Sequence, residues 1–145
     1  MIALLQRVTE ASVTVSAERV GSIGAGILVF VGVQKDDTPA HADRLLQRVL
    51  GYRIFADPGG KMNLSLADTA GGLLLVPQFT LAADTRKGAR PSFSSAAPPQ
   101  LGRERFDYLV TQARAHHKDV ASGRFGADMQ VALINDGPVT FILQT

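Results

Sequence analysis

The chain has 145 residues, 46% of them hydrophobic and 19% charged, with a formal net charge of +2 and no cysteine. That balance excludes intrinsic disorder and fits one domain spanning residues 1–145, while the lack of cysteine excludes disulfides, thiolate catalysis and cysteine-ligated metals. The first residues carry no basic stretch ahead of an apolar one, and the longest apolar run, residues 26–33, is too short for a bilayer, so a soluble cytoplasmic protein with no membrane attachment is expected.

The first third reads as strands. Ile2–Val8 and Ala11–Val15 are rich in β-branched residues, the second within the alternation Ser12-Val13-Thr14-Val15-Ser16. Arg19–Ile23 and Ile27–Val33 follow, and Gly24-Ala25-Gly26 between them predicts a hairpin turn. The glycines of residues 21–26 do not make a nucleotide loop: their order is wrong for the dinucleotide fingerprint, no Lys-Ser/Thr is present and no helix follows.

Thr38-Pro39 predicts a helix start, with Thr38 as N-cap and Pro39 in the first turn. Ala42, Leu45, Leu46, Val49 and Leu50 then recur at helical spacing, and Gly51 is the expected stop. Arg53–Phe55 reads as a strand, Asp57-Pro58-Gly59-Gly60 as a turn, and Met62–Leu66 is ambiguous. Leu73–Leu81 reads as a buried strand interrupted by Pro77. A second helix is predicted from Pro99 to Lys118, burying Phe106, Leu109, Val110 and Ala113. Met129–Ile134 and Val139–Leu143 read as two strands around a turn at Asn135-Asp136-Gly137-Pro138. Strands dominate, with two main helices, which makes an α+β domain.

Charge is unevenly spread. Residues 1–75 hold seven Lys/Arg against seven Asp/Glu, whereas residues 86–124 hold eight against three. A basic segment of this kind suits a polyanion such as RNA, and it equally describes a solvated helix face beside a basic loop.

No catalytic triad is legible. A side-chain nucleophile needs a base beside it, yet His41, His116 and His117 all fall on predicted helices without metal-ligand spacing. No metal or organic cofactor is implied. Two other stretches carry polar groups where chemistry can occur. Pro77-Gln78-Phe79-Thr80-Leu81 runs into the basic loop of residues 82–93, and it also reads as ordinary strand. Gly137-Pro138 places a backbone without Cβ beside a residue without N–H, so that both carbonyls can serve as acceptors in a cavity or simply form a tight turn.

Together with Thr85-Arg86-Lys87-Gly88 and Ser122-Gly123-Arg124-Phe125-Gly126-Ala127-Asp128-Met129, these stretches resemble the D-aminoacyl-tRNA deacylase family, whose signatures read Ser-Gln-Phe-Thr-Leu and Asn-x-Gly-Pro-x-Thr. The resemblance extends to Gln6-Arg7-Val8, Ala11–Val15, Arg53-Ile54-Phe55 and Lys61–Ser65, and so covers nearly the whole chain. It implies a single compact domain with a β-barrel-like sheet core, similar to an archaeal threonyl-tRNA synthetase editing domain. It further implies a homodimer with active sites at the interface and the 3′ end of aminoacylated tRNA, not DNA, as partner. Gln78, Phe79 and Thr80 become the catalytic stretch. Gly137 and Pro138, joined by a cis bond, would reach in from the partner subunit to set chiral selectivity. Phe125 and Met129 would bind the terminal adenosine, and Arg86 and Lys87 the tRNA. One position departs from the pattern: Pro77 replaces the signature's serine, removing a hydroxyl and an N–H.

These residues suit an activated ester, whose hydrolysis needs an oxyanion site and a positioned water more than a strong nucleophile. The expected mechanism uses the Phe79 and Thr80 amides and the ribose 2′-hydroxyl, with covalent attack by Thr80 as the competing version. Steric exclusion of L side chains would leave D-aminoacyl and glycyl esters as substrates. An RNA-binding module without chemistry and a small-molecule hydrolase are the rival readings.

Overall fold

Residues 2–15 form one strand, β1 (Ile2–Val15), in the computed structural model, which describes residues 1–145. The break expected between Val8 and Ala11 is instead a pair of register shifts around Val8. Across them the strand changes allegiance. Ala3 and Leu5 enter one core, whereas Val8, Ala11 and Val13 enter another.

β2 (Glu18–Ile23) and β3 (Gly26–Gly32) share one edge of β1. Residues 11–15 of β1 pair antiparallel with β2 and residues 2–8 with β3. The predicted hairpin at residues 24–26 therefore does not form, because both strands are partnered by β1 and not by each other. Gly26 serves close approach: a Cβ there would lie 2.0 Å from the Gly72 carbonyl oxygen.

α1 (Pro39–Gly51) begins as predicted, with Thr38 and His41 completing a capping box. It buries Ala42, Leu45, Leu46 and Val49. Gly51 belongs to the helix, and Tyr52 is the cap. β4 (Phe55–Ala56) pairs with β5 (Met62–Leu64) around the Asp57–Gly60 turn, and α2 (Leu66–Thr69) is a single turn capped by Ser65.

β6 (Gly72–Pro77) lies parallel to β3, and after it the predicted strand gives way to a 3-10 helix, Phe79–Ala82. α3 (Pro99–His116) buries Phe106, Leu109, Val110 and Ala113 as expected. β7 (Val120–Ser122), unforeseen in so short a segment, lies parallel to β6. It also returns beside β2, where a Cβ on Gly21 would sit 2.9 Å from the Ser122 carbonyl oxygen. That approach nearly closes the sheet into a barrel.

β8 (Gln130–Gln144) is one strand of 15 residues along the second edge of β1, not two strands around a hairpin. Residues 136–139 bulge out of it opposite the single residue Arg7. Successive residues of β3 and β6 feed opposite sides of the sheet, which explains their uninterrupted apolar sequence. Leu28, Leu74 and Val76 fill the barrel, while Ile27, Leu73 and Leu75 face the helices.

Candidate active site

The site begins where β6 ends. Along β6 the N–H groups alternate between neighbours: Leu73 N donates to Asp119 O (2.9 Å) on the β7 side and Gln78 N to Val31 O (2.8 Å) of β3. Position 77 by this alternation faces β7, directly after the bond from Gly123 N to Leu75 O (2.8 Å). A proline there has no N–H to give, so the ladder stops and the chain beyond Gly123 is free to diverge.

Beside this point lies a cavity with a volume of about 480 Å³. Val31, Val33 and Val76 form its floor, Gly102 and Phe106 of α3 one wall, and Phe125 and Met129 another. Pro77, Gln78 and Phe79 also line it. The structure thus brings together the 77–79 stretch, Phe125 and Met129, which the sequence separates by more than forty residues.

The 3-10 helix exposes backbone donors at this place. Its first hydrogen bonds run from Leu81 N to Gln78 O (3.2 Å) and from Ala83 N to Thr80 O (3.1 Å). Such a helix leaves the amides of its first residues without an internal partner, here Phe79 and Thr80. Both residues are exposed, and Phe79 packs its ring against Phe93 with centroids 5.2 Å apart. The Thr80 hydroxyl accepts from the Gln78 side-chain amide at 2.5 Å.

No histidine stands near. His41 completes the α1 cap, His116 Nδ1 is 2.8 Å from Gln112 O, and His117 Nε2 is 2.6 Å from Gly71 O. Their hydrogen bonds fasten helix ends.

Gly137 and Pro138 lie elsewhere. They occupy the bulge of β8, joined by a cis bond, exposed, and absent from the walls of the cavity. Asn135 braces that bulge: its Oδ1 accepts from Val139 N (2.8 Å) and its Nδ2 donates to Thr140 Oγ1 (2.9 Å). The Asn-x-Gly-Pro-x-Thr signature is thereby a self-bonded bulge. Arg7, flagged by sequence only as part of the resemblance, supports it from below. Its Nε donates to Asp136 O (3.1 Å) and its Nη1 to Ile54 O (2.7 Å).

The basic loop is partly engaged with itself. Arg86 donates Nε and Nη2 to Asp84 at 2.9 and 2.7 Å, and this hydrogen bonding pulls the Asp84 carboxyl down to about 2. Lys87 and Arg90 are exposed and make no ion pair. Of the other basic residues counted from sequence, Arg105 is tied to Glu104 (2.6 Å) and Arg124 lies 3.7 Å from Glu18. Sequence reasoning missed Gly102 and Arg103, adjacent to Phe125, since neither belongs to a recognisable motif.

A nearly closed α+β barrel with a 3-10 turn beside an apolar cavity defines the class of fold, and known relatives make that class specific. The D-Tyr-tRNA(Tyr) deacylase family profile matches residues 4–144, and the chain belongs to that family. A D-aminoacyl-tRNA deacylase of Pseudomonas fluorescens is 66% identical over 145 residues, covering 100% of both chains. One from Thioalkalivibrio sulfidiphilus is 66% identical over 144 residues, covering 99% of this chain and 97% of its own. Among solved structures, the c-Myc DNA Unwinding Element Binding Protein superposes with a TM-score of 0.95 at 38% identity, covering 100% and 99% of the two chains. A probable eukaryotic D-amino acid tRNA deacylase shares the fold, with a TM-score of 0.81 at 20% identity over 99% and 98%. The family consists of hydrolases that cut the ester bond of D-aminoacyl-tRNA in translational proofreading. No helix of this chain is long and apolar enough to cross a membrane.

Proposed function

We propose that this chain hydrolyses the ester between a D-amino acid and the 3′-terminal ribose of tRNA in the cytoplasm, releasing free D-amino acid and tRNA. The observation that carries the reading is the 3-10 turn, which starts at Phe79 on the wall of a cavity lined by Phe125 and Met129 and leaves the amides of Phe79 and its neighbour Thr80 without an internal helical partner. The terminal adenosine lies against Phe125 and Met129, and the ester carbonyl oxygen faces the Phe79 and Thr80 amides. Water, positioned by the ribose 2′-hydroxyl, adds to the carbonyl carbon. The amides hold the oxyanion, and its collapse breaks the bond to the ribose 3′ oxygen, which leaves as a hydroxyl. The hydrogen bond from Gln78 to the Thr80 hydroxyl supports this over covalent attack, because the hydroxyl has an amide beside it and no base. No cofactor enters these steps.

The active form is a homodimer in this reading, with Gly137 and Pro138 of the partner subunit completing each site. Three features support it. The second edge of β8 is unpaired along 15 residues, a long edge that proteins rarely leave open. Phe79, Ile134 and Ile142 are 58%, 55% and 63% exposed. The Gly137-Pro138 bulge also projects into solvent, away from the cavity of its own chain. Carbonyls gripping the substrate's α-amino group would turn a D side chain outward and force an L side chain into backbone. Glycine cannot be rejected that way, so glycyl-tRNA, including glycine mischarged on tRNA-Ala, is cleaved as well. Lys87 and Arg86 contact tRNA phosphates without reading sequence.

Deacylation of D-Tyr-tRNA, L-Tyr-tRNA and Gly-tRNA in parallel tests this. Loss of the D and glycyl esters with the L ester intact is expected. Survival of all three at saturating enzyme would refute catalysis and leave a nucleic-acid-binding module, the reading that the likeness to the c-Myc DNA Unwinding Element Binding Protein favours. Cleavage of the L ester at a comparable rate would refute steric exclusion.

A further inference from the structure

Phe125 owes its position to two consecutive residues of α3. A Cβ on Gly102 would lie 3.1 Å from Phe125 Cζ, so the ring rests on the bare backbone of the helix. Arg103, one residue on, places its guanidinium over the ring, with Cζ 5.1 Å from the centroid. It also donates Nη2 to the Phe125 carbonyl oxygen at 3.2 Å. The Phe106 ring, tilted at 6.4 Å, closes the third side. The segment carrying Phe125 belongs to no helix or strand, and it follows the point where Pro77 ends the β6–β7 ladder. No helix or strand of its own segment therefore fixes the ring; α3 does.

We infer that Gly102 and Arg103 form the seat of Phe125 and that Arg103 is a positioning residue for the nucleoside-binding wall of the site. The inference rests on the reading that Phe125 contacts the terminal adenosine. A guanidinium suits the task because its planar fork stacks on the ring and bonds the carbonyl together, which an ammonium cannot do. Gly102 contributes by lacking a side chain. An alanine there leaves α3 intact or strengthens it, since alanine favours helix over glycine, yet pushes the ring by a few tenths of an ångström.

The test uses the full-length protein with adenosine, an uncharged probe that isolates the wall from phosphate contacts. Wild-type affinity is measured by NMR titration and compared with Arg103→Ala, Arg103→Lys, Gly102→Ala and Phe125→Ala, alongside kcat and KM on D-Tyr-tRNA. Arg103→Ala should weaken adenosine binding and raise KM by about three- to tenfold, the effect of one lost cation–π contact with one charged hydrogen bond. Its kcat should stay within about twofold, since the amides at residues 79 and 80 are untouched. Arg103→Lys should fail to restore KM. Gly102→Ala should raise KM without lowering Tm, a combination that a purely structural role does not produce.

Unchanged adenosine affinity and KM in Arg103→Ala, with Phe125→Ala impaired, overturns the inference while sparing the adenosine reading. Full restoration by Arg103→Lys also overturns it, because charge alone then suffices. A wild type that binds no adenosine, with Phe125→Ala unaltered in KM, removes the adenosine reading and this inference with it.

Discussion

Replacing Phe79 by proline removes one amide hydrogen from the site with little other disturbance, and the structure says why. Gln78, the residue before it, sits at φ −141°, ψ 81°, outside the helical region that a following proline disfavours. Phe79 is the first residue of its 3-10 helix, the position at which proline is best tolerated. Its N–H has no internal helical partner, so no ladder bond is lost. Phe79→Ala is the matched control: it also loses the ring contact with Phe93 but keeps the amide. If the amides stabilise the oxyanion, Phe79→Pro should lower kcat by about 10²–10³ relative to Phe79→Ala, equivalent to ~2.7–4 kcal/mol. The two variants should unfold within about 4 °C of each other, given roughly 2–4 °C per kcal/mol for a chain of this size. Single-turnover deacylation of D-Tyr-tRNA at saturating enzyme measures the chemical step directly. Equal rates for the two variants would refute backbone catalysis at Phe79. Thr80→Ala belongs in the same assay, because it deletes the hydroxyl and keeps the second amide. Activity within about tenfold of wild type is expected, whereas abolition would restore Thr80 as the nucleophile.

Gly137→Ala places a Cβ 2.7 Å from Val139 Cγ2 and 3.1 Å from Arg7 Nη2 at φ +132°, so strain of about 1–3 kcal/mol should lower Tm in thermal melts. The same variant should cut kcat/KM for D-Tyr-tRNA at least about tenfold, as added volume at that carbonyl narrows the grip on the α-amino group; wild-type values in both assays would contradict this. Lys87→Ala and Arg90→Ala should each reduce the slope of log K against log salt for tRNA binding by about 0.7, and an unchanged slope would remove that residue from the phosphate path. The Asp84–Arg86 pair holds the Asp84 carboxyl at about 2, below its ordinary 3.8, so the pair is complete above the ordinary value and is lost only as pH falls through about 2. An NMR titration of the Asp84 carboxyl carbon should show that low midpoint in wild type and a rise toward 3.8 in Arg86→Ala.

How much of this was legible depends on whether a side chain or a backbone does the work. The helices were readable because α1 and α3 bury side chains at helical spacing, from Ala42 to Val49 and from Phe106 to Ala113. The turns at residues 24–26 and 135–138 were misread because a glycine signals close approach and bulges as readily as hairpins, and the partner that decides, β1, lies far away in sequence. The 3-10 helix at Phe79–Ala82 was hidden for the same reason. Val76, Phe79 and Leu81 look like strand, yet the bonds from Leu81 N to Gln78 O and from Ala83 N to Thr80 O turn the chain.

The site itself follows this rule. Its proposed donors are amides, which every residue except proline carries, so no residue type marks them. What the sequence can show is the set of residues that shape backbone: Asn135 and Thr140 bracing a bulge, Gly102 admitting a ring, Pro77 ending a ladder. That also explains how position 77 can depart from the serine signature. The N–H it lacks points toward Gly123 and β7, not toward the Phe79 and Thr80 donors, and the alternation that places Gln78 N on Val31 O is unaffected. A catalyst built from side chains would be disabled by such a change. The proposed amide mechanism needs only the turn after position 77, which the bonds from Leu81 N to Gln78 O and from Ala83 N to Thr80 O close without any N–H at that position.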